Sequence, residues 1–185
     1  LSSVIKKLEH NALAFSNLYN SDPNVQKILD IDNLFLANNF NTPNKGAAVV
    51  ASIRQAFKEG SILDEDKYIA MQEFLAYALT EEKLLTQMYY NQKAKDIPNS
   101  LTKEPKKNKG LIEAIKNVLK VLKEVKLNIA RIFFGSKFEE KDLAKDNNFL
   151  NESMLFDVLA QIKTLAEMNT NLQNQDNSTT LYSTD

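Results

Sequence analysis

Apolar residues spaced at alternating steps of four and three mark the stretch from Gly110 to Gly135. Leu111, Ile115, Val118, Leu122, Val125, Ile129 and Ile132 lay one unbroken seam along a helix. Ile112, Leu119 and Phe133 widen that seam on one side, which predicts more than one packing neighbour. Similar spacing predicts a first helix over about Ser3 to Tyr19, with Val4, Ile5, Leu8, Ala12, Phe15 and Leu18 on one face. Ser21-Asp22-Pro23 is a capping residue followed by a first-turn proline, and it opens a second helix on Val25, Ile28, Leu29, Leu34, Phe35 and Phe40.

A third helix is expected over Lys45 to Lys58 on Val49, Val50, Ile53, Ala56 and Phe57. The fourth carries Tyr68, Ile69, Phe74, Leu75, Ala78 and Leu79, then Leu84, Leu85, Met88 and Tyr89. Thr80-Glu81-Glu82-Lys83 reads as a second cap, so this segment is expected to be two helices meeting at Thr80. Beyond Gly135 the spacing predicts a short helical turn near Leu143. A last helix is expected over about Phe149 to Leu172 on Leu150, Leu155, Val158, Leu159, Ile162, Leu165 and Ala166. All four glycines and all four prolines fall between these periodic segments, as the backbone limits of both residues require of a helical protein. The fold class is therefore all-α: an irregular bundle of about six helices, one domain over 1–172, with a polar tail over 173–185. The asparagine- and threonine-rich end from Asn169 to Asp185 cannot offset its own ordering entropy, which predicts an outside partner pinning it.

Composition narrows the chemistry. A chain of 185 residues, 43% of them hydrophobic, can bury one good core. The net charge of −1 gives no overall pull toward nucleic acid or an anionic membrane. No cysteine means no disulfide framework, thiolate metal site or cysteine nucleophile, and one histidine, His10, excludes the multi-histidine metal sites. No apolar run reaches the roughly 20 residues of a transmembrane helix. Leu1 in place of methionine suggests a processed product or one piece of a longer polypeptide.

Three polar clusters merit weighing. Lys116, Lys120, Lys123, Lys126 and Arg131 oppose the central seam as a basic surface. Lysine-lined amphipathic helices can lie on membranes, but a seam this regular points to protein packing. From Asn91 to Lys109 the apolar rhythm stops, and six lysines face two acids in a proline-containing loop. Its basic part, 93–109, keeps nucleic acid as a minor option, without the glycine and aromatic motifs of such binders. Asp64, Glu65, Asp66, Glu73, Glu81 and Glu82 form an acidic surface, with Lys67 the one cation among them. No glycine-centred calcium loop surrounds these acids, and charge complementarity explains them better than acid–base work. His10 lacks a carboxylate at ligand spacing, and phosphate-cradling glycine loops are absent. No catalytic residue, metal ligand, cofactor or small-molecule substrate is expected.

The run Glu73-Phe74-Leu75-Ala76-Tyr77-Ala78-Leu79-Thr80 resembles a short stretch in the metallopeptidase-like helical regions of polyvalent proteins, very large polyproteins of phages and mobile elements. The likeness covers Asp66 to Gly135. It implies that Glu73 stands where that family has a third zinc ligand, although this chain lacks the upstream H-E-x-x-H helix that would supply the other two. Tyr77 replaces an acid, and Glu81-Glu82 stands where asparagine-proline is usual. The resemblance thus implies a non-catalytic piece.

The expectation from these readings is a non-enzymatic structural or protein-interaction protein. Its most specific version is a processed virion-internal or tail-associated segment of a phage polyprotein, located in the virion. The alternatives are a bacterial adaptor or secreted effector domain, acting in the cytoplasm or in a host cell, and a degenerate metallopeptidase-like domain.

Overall fold

The computed structural model describes residues 2–30, 45–58, 65–94, 109–143, 157–164, 167–168, 171–172 and 174–175. The chain is all-α, and no strand occurs among the described residues. In chain order the helices are α1 (Ser2–Ser21), α2 (23–30), α3 (Lys45–Lys58), α4 (Glu65–Thr80), α5 (Glu82–Ala94), α6 (Lys109–Phe134), α7 (Glu140–Leu143) and α8 (157–164). Among the described residues these are the expected helices, with the 65–94 segment divided near Thr80 and the turn near Leu143 formed as a short helix of its own, both as the sequence suggests. No described helix is long and apolar enough to cross a membrane.

Local chemistry sets the boundaries. Asp22 caps α2, its Oδ1 accepting the Asn24 N–H at 2.9 Å, with Pro23 fixed in the first turn. Between α4 and α5 the expected cap is not made. The Thr80 hydroxyl donates backwards to the Ala76 carbonyl at 2.7 Å, and helical bonds run on through Glu81, whose N–H reaches Tyr77 O and whose carbonyl accepts from Leu85. The break is a bend in a nearly continuous helical path. Asn91–Ala94 complete α5, so these four residues, expected to open the loop, are helical instead. Gly135 closes α6 with φ of 93°, a left-handed conformation that glycine adopts without a Cβ clash, while its N–H bonds Arg131 O.

The core forms where α6 meets α1, α4 and α5, and where α3 packs on α1 and α4. Leu111, Ile115, Val118, Leu122, Val125 and Ile129 are buried, and Ile132 is half-buried against the same cluster. The seam of the central helix is therefore internal core. Phe15 of α1 sits against Phe74 and Tyr77 of α4, with ring centroids 5.4 and 5.5 Å apart. Val158 and Ile162 bring α8 onto this core, and the Tyr68 hydroxyl donates to the Leu159 carbonyl at 3.2 Å. The expected continuation of the second helix to Phe40, the loop residues 95–108, the start of the last helix at 149–156 and the tail beyond 175 lie outside the described residues.

Candidate functional site

The lysine row on α6 divides in two. Lys116, Lys120 and Lys123 are exposed, whereas Lys126 pairs with Glu82 of α5 and is half-buried. Arg131 is half-buried too, its Nε donating to the Phe138 carbonyl at 3.0 Å. The causes differ: at 100° per residue Lys126 falls near the rim of the apolar seam, beside α5, whereas Arg131 lies on the opposite face and is covered by the turn after Gly135, where Phe138 meets it. Three of the five expected surface cations thus meet solvent, Lys126 is engaged by the chain itself, and Arg131 is engaged through its Nε.

These three lysines line one wall of a groove of about 600 Å³ between α5 and α6. Tyr89 and Tyr90 of α5 form the other wall, and Leu119 and Leu127 contribute apolar surface. Tyr90 is 64% exposed and meets Tyr89 edge-on, with centroids 5.7 Å apart. Lys93 lies 4.8 Å over the Tyr89 ring, and hydrogen bonding to that phenol is the main cause that raises its pKa above the usual lysine value. Glu113, Glu124 and Glu140 share the groove, so it is charged in both signs.

The acidic cluster does not assemble as one surface. Asp66 and Glu73 are exposed on α4, and Glu65 opens that helix, while Asp64 lies outside the described residues. Glu82 is drawn into its pair with Lys126. Glu81 corrects the expectation outright: it is only 7% exposed, because the continued helical path through the α4–α5 bend turns it inward. It lines a cleft of about 400 Å³ with Glu73, Lys45 and Tyr77. Of the motif that carried the family resemblance, Phe74, Leu75, Tyr77 and Ala78 are core residues. Among the described residues, no group of three or more His, Cys, Asp or Glu side chains is placed to hold a metal ion.

A second polar centre lies between α1 and α6, and the sequence reading passed over it. Asn11 and Asn128, 4% and 7% exposed, are joined by a 2.7 Å bond from Asn128 Nδ2 to Asn11 Oδ1. Asn11 Nδ2 in turn donates to Glu124 Oε2 at 3.1 Å. A cleft of about 390 Å³ opens above this chain, lined also by Lys6, Lys7, His10, Leu127 and Arg131. One signal was available: Asn11 follows Leu8 by three and precedes Phe15 by four, an apolar-seam position, and Asn128 stands likewise between Val125 and Ile132. Two amides at core positions on different helices call for a partner, and each is the other's.

No known protein family, curated protein or solved structure matches the chain.

Proposed function

We propose that the protein is a non-catalytic helical module that works by protein contact, and that the α5/α6 groove is its working surface. The observation that supports this reading is the facing of Tyr89 and Tyr90 by Lys116, Lys120 and Lys123 across an apolar floor. Tyrosine offers large contact area with little rotamer entropy to lose, and the lysine row, set against Glu113, Glu124 and Glu140 in the same groove, gives charge contacts that fix a partner's register rather than a net field that draws it in. The partner is a segment presenting carboxylates beside an apolar anchor. Because α6 spends its seam on this chain's own core, the opposite face is what remains for binding.

A photo-crosslinking residue in place of Tyr90 tests the reading in the cell that makes the protein. A discrete protein adduct is expected, lost when Lys116, Lys120 and Lys123 are all changed to glutamate while helix content is unchanged. An adduct that persists through the charge reversal would remove the groove from consideration.

A further inference from the structure

We propose that the cleft between α1 and α6 binds a phosphate monoester, taken up as the dianion. Lys6 and Lys7 enter it from α1 and Arg131 from α6, and none of the three forms an ion pair among the described residues. Glu124 is the one carboxylate lining the cleft, and its Oε2 already accepts from Asn11. Three cations against one acid leave two positive charges, which suits a doubly charged oxyanion.

The cleft is also oriented for such a ligand. Arg131 is held by the bond from its Nε to the Phe138 carbonyl, and Phe138 is itself stacked on Phe134 at 5.4 Å. Fixing Nε leaves both terminal nitrogens of the guanidinium for a bidentate grip on two phosphate oxygens. Below, Asn11 and Asn128 each use one N–H in the chain that ends at Glu124, so each amide keeps a second N–H for a further acceptor. Buried amides locked to one another cannot swing away when an anion arrives, and little side-chain order has to be created on binding. This site is separate from the α5/α6 groove, although Glu124 and Leu127 contribute to both.

The test is a titration of the full chain with glycerol 3-phosphate, followed by nitrogen–proton NMR of the Arg131 Nε and the Asn11 and Asn128 side-chain amides. Saturable shifts of those signals are expected, with chloride at matched ionic strength producing none. Arg131→Gln should weaken binding by tenfold or more, about the worth of one charge-assisted pair of bonds, and Arg131→Lys should fall between. Lys7→Gln, at an exposed position where folding is not at stake, should weaken it by a smaller factor, whereas Lys120→Gln in the neighbouring groove should leave it unchanged. An equal response to chloride, or wild-type affinity in both Arg131→Gln and Lys7→Gln, would overturn the proposal. Binding of inorganic phosphate without glycerol 3-phosphate would also overturn it, since the free ion would then be the ligand. Loss of the groove's protein partner has no bearing on any of these readouts.

Discussion

Between α1 and α6 two buried amides are joined at 2.7 Å, whereas between α3 and α4 a buried cation lies over a ring. Lys67 of α4 is 3% exposed, and its Nζ lies 5.0 Å from the centroid of Phe57 on α3. The two solutions tolerate error differently. A cation attracted to a ring face keeps most of its interaction when the helices slide by a fraction of an ångström, because the quadrupole is broad. An amide pair is directional, and a one-residue shift would leave a buried N–H and C=O without partners at about 1–3 kcal/mol each. The α1/α6 amide pair therefore carries more register information than a cation–ring contact does, and a cleft of about 390 Å³ opens beside it.

The heaviest blow to either contact falls on what they share. Leu122 is fully buried on α6, which packs on α1, α4 and α5. Leu122→Asp removes about 1.5–3 kcal/mol of burial and places a charge where its desolvation costs several kcal/mol more. That consumes most of a typical domain's 5–15 kcal/mol, so a cooperative thermal transition should be lost from circular dichroism. A sharp melt near the wild-type temperature would show that the seam is not the organising core.

Next comes the apolar packing that separates the two contacts. Phe74 on α4 is fully buried against Phe15 on α1, and Phe74→Ala should cost about 3–5 kcal/mol, read as a lower urea midpoint at unchanged slope. Asn128→Leu should cost less, about 1–3 kcal/mol, mainly by stranding the Asn11 carbonyl oxygen. The comparison sharpens in the double variant. Asn11→Leu with Asn128→Leu removes both polar groups, so much of the lost stability should return, with a coupling of about 0.5–3 kcal/mol in the cycle. Strict additivity would show that the amide pair carries no register, and the contrast drawn above would fail.

How far the sequence revealed these features depends on whether the signal was local. The α6 seam was legible because periodicity within one helix reports which face is buried whatever the partner is. The α2 cap at Asp22 and the stop at Gly135 were legible for the same reason, each being decided within four residues. The pairing of Asn11 with Asn128 was not, since 117 positions separate them and only the docking of α1 on α6 brings them together. Glu81 departs from expectation for a related reason: six acids at and after a helix start describe an exposed edge, but a bend that keeps its helical hydrogen bonds turns the Glu81 side chain inward. His10 and Arg131 line one cleft but stand on different helices, so no local spacing joins them.

Gly46 offers a gentler probe of how tightly α3 is seated. It is buried, and a Cβ added there would lie 3.0 Å from the Leu29 Cβ of α2. Alanine in a helix gains up to about 1 kcal/mol over glycine, while overpacking costs about 1–3 kcal/mol. The net expected for Gly46→Ala is a small loss, roughly 0–2 kcal/mol, as a shift in thermal midpoint. A clear gain would mean that α2 gives way easily, and that rigidity in this bundle is confined to the α1/α6 contact.

The smallest effect belongs to the exposed counterpart of the buried lysine–ring contact. Lys93 sits 4.8 Å over Tyr89, nearly the distance of Lys67 over Phe57, yet in water. Its pKa is raised, first by the hydrogen bond with the Tyr89 hydroxyl and then by the charge of that group. A raised folded-state pKa means that the folded chain holds this proton more tightly than the unfolded one. The linked stability is fully present below the unfolded lysine value of about 10.4 and is lost as pH climbs through the higher folded value. Thermal midpoints of wild type and Lys93→Gln should therefore run parallel up to roughly pH 10, with the wild type falling faster above it. If both fall together, water has screened the contact to nothing, and the ring-face cation contributes only where α3 and α4 shut the solvent out.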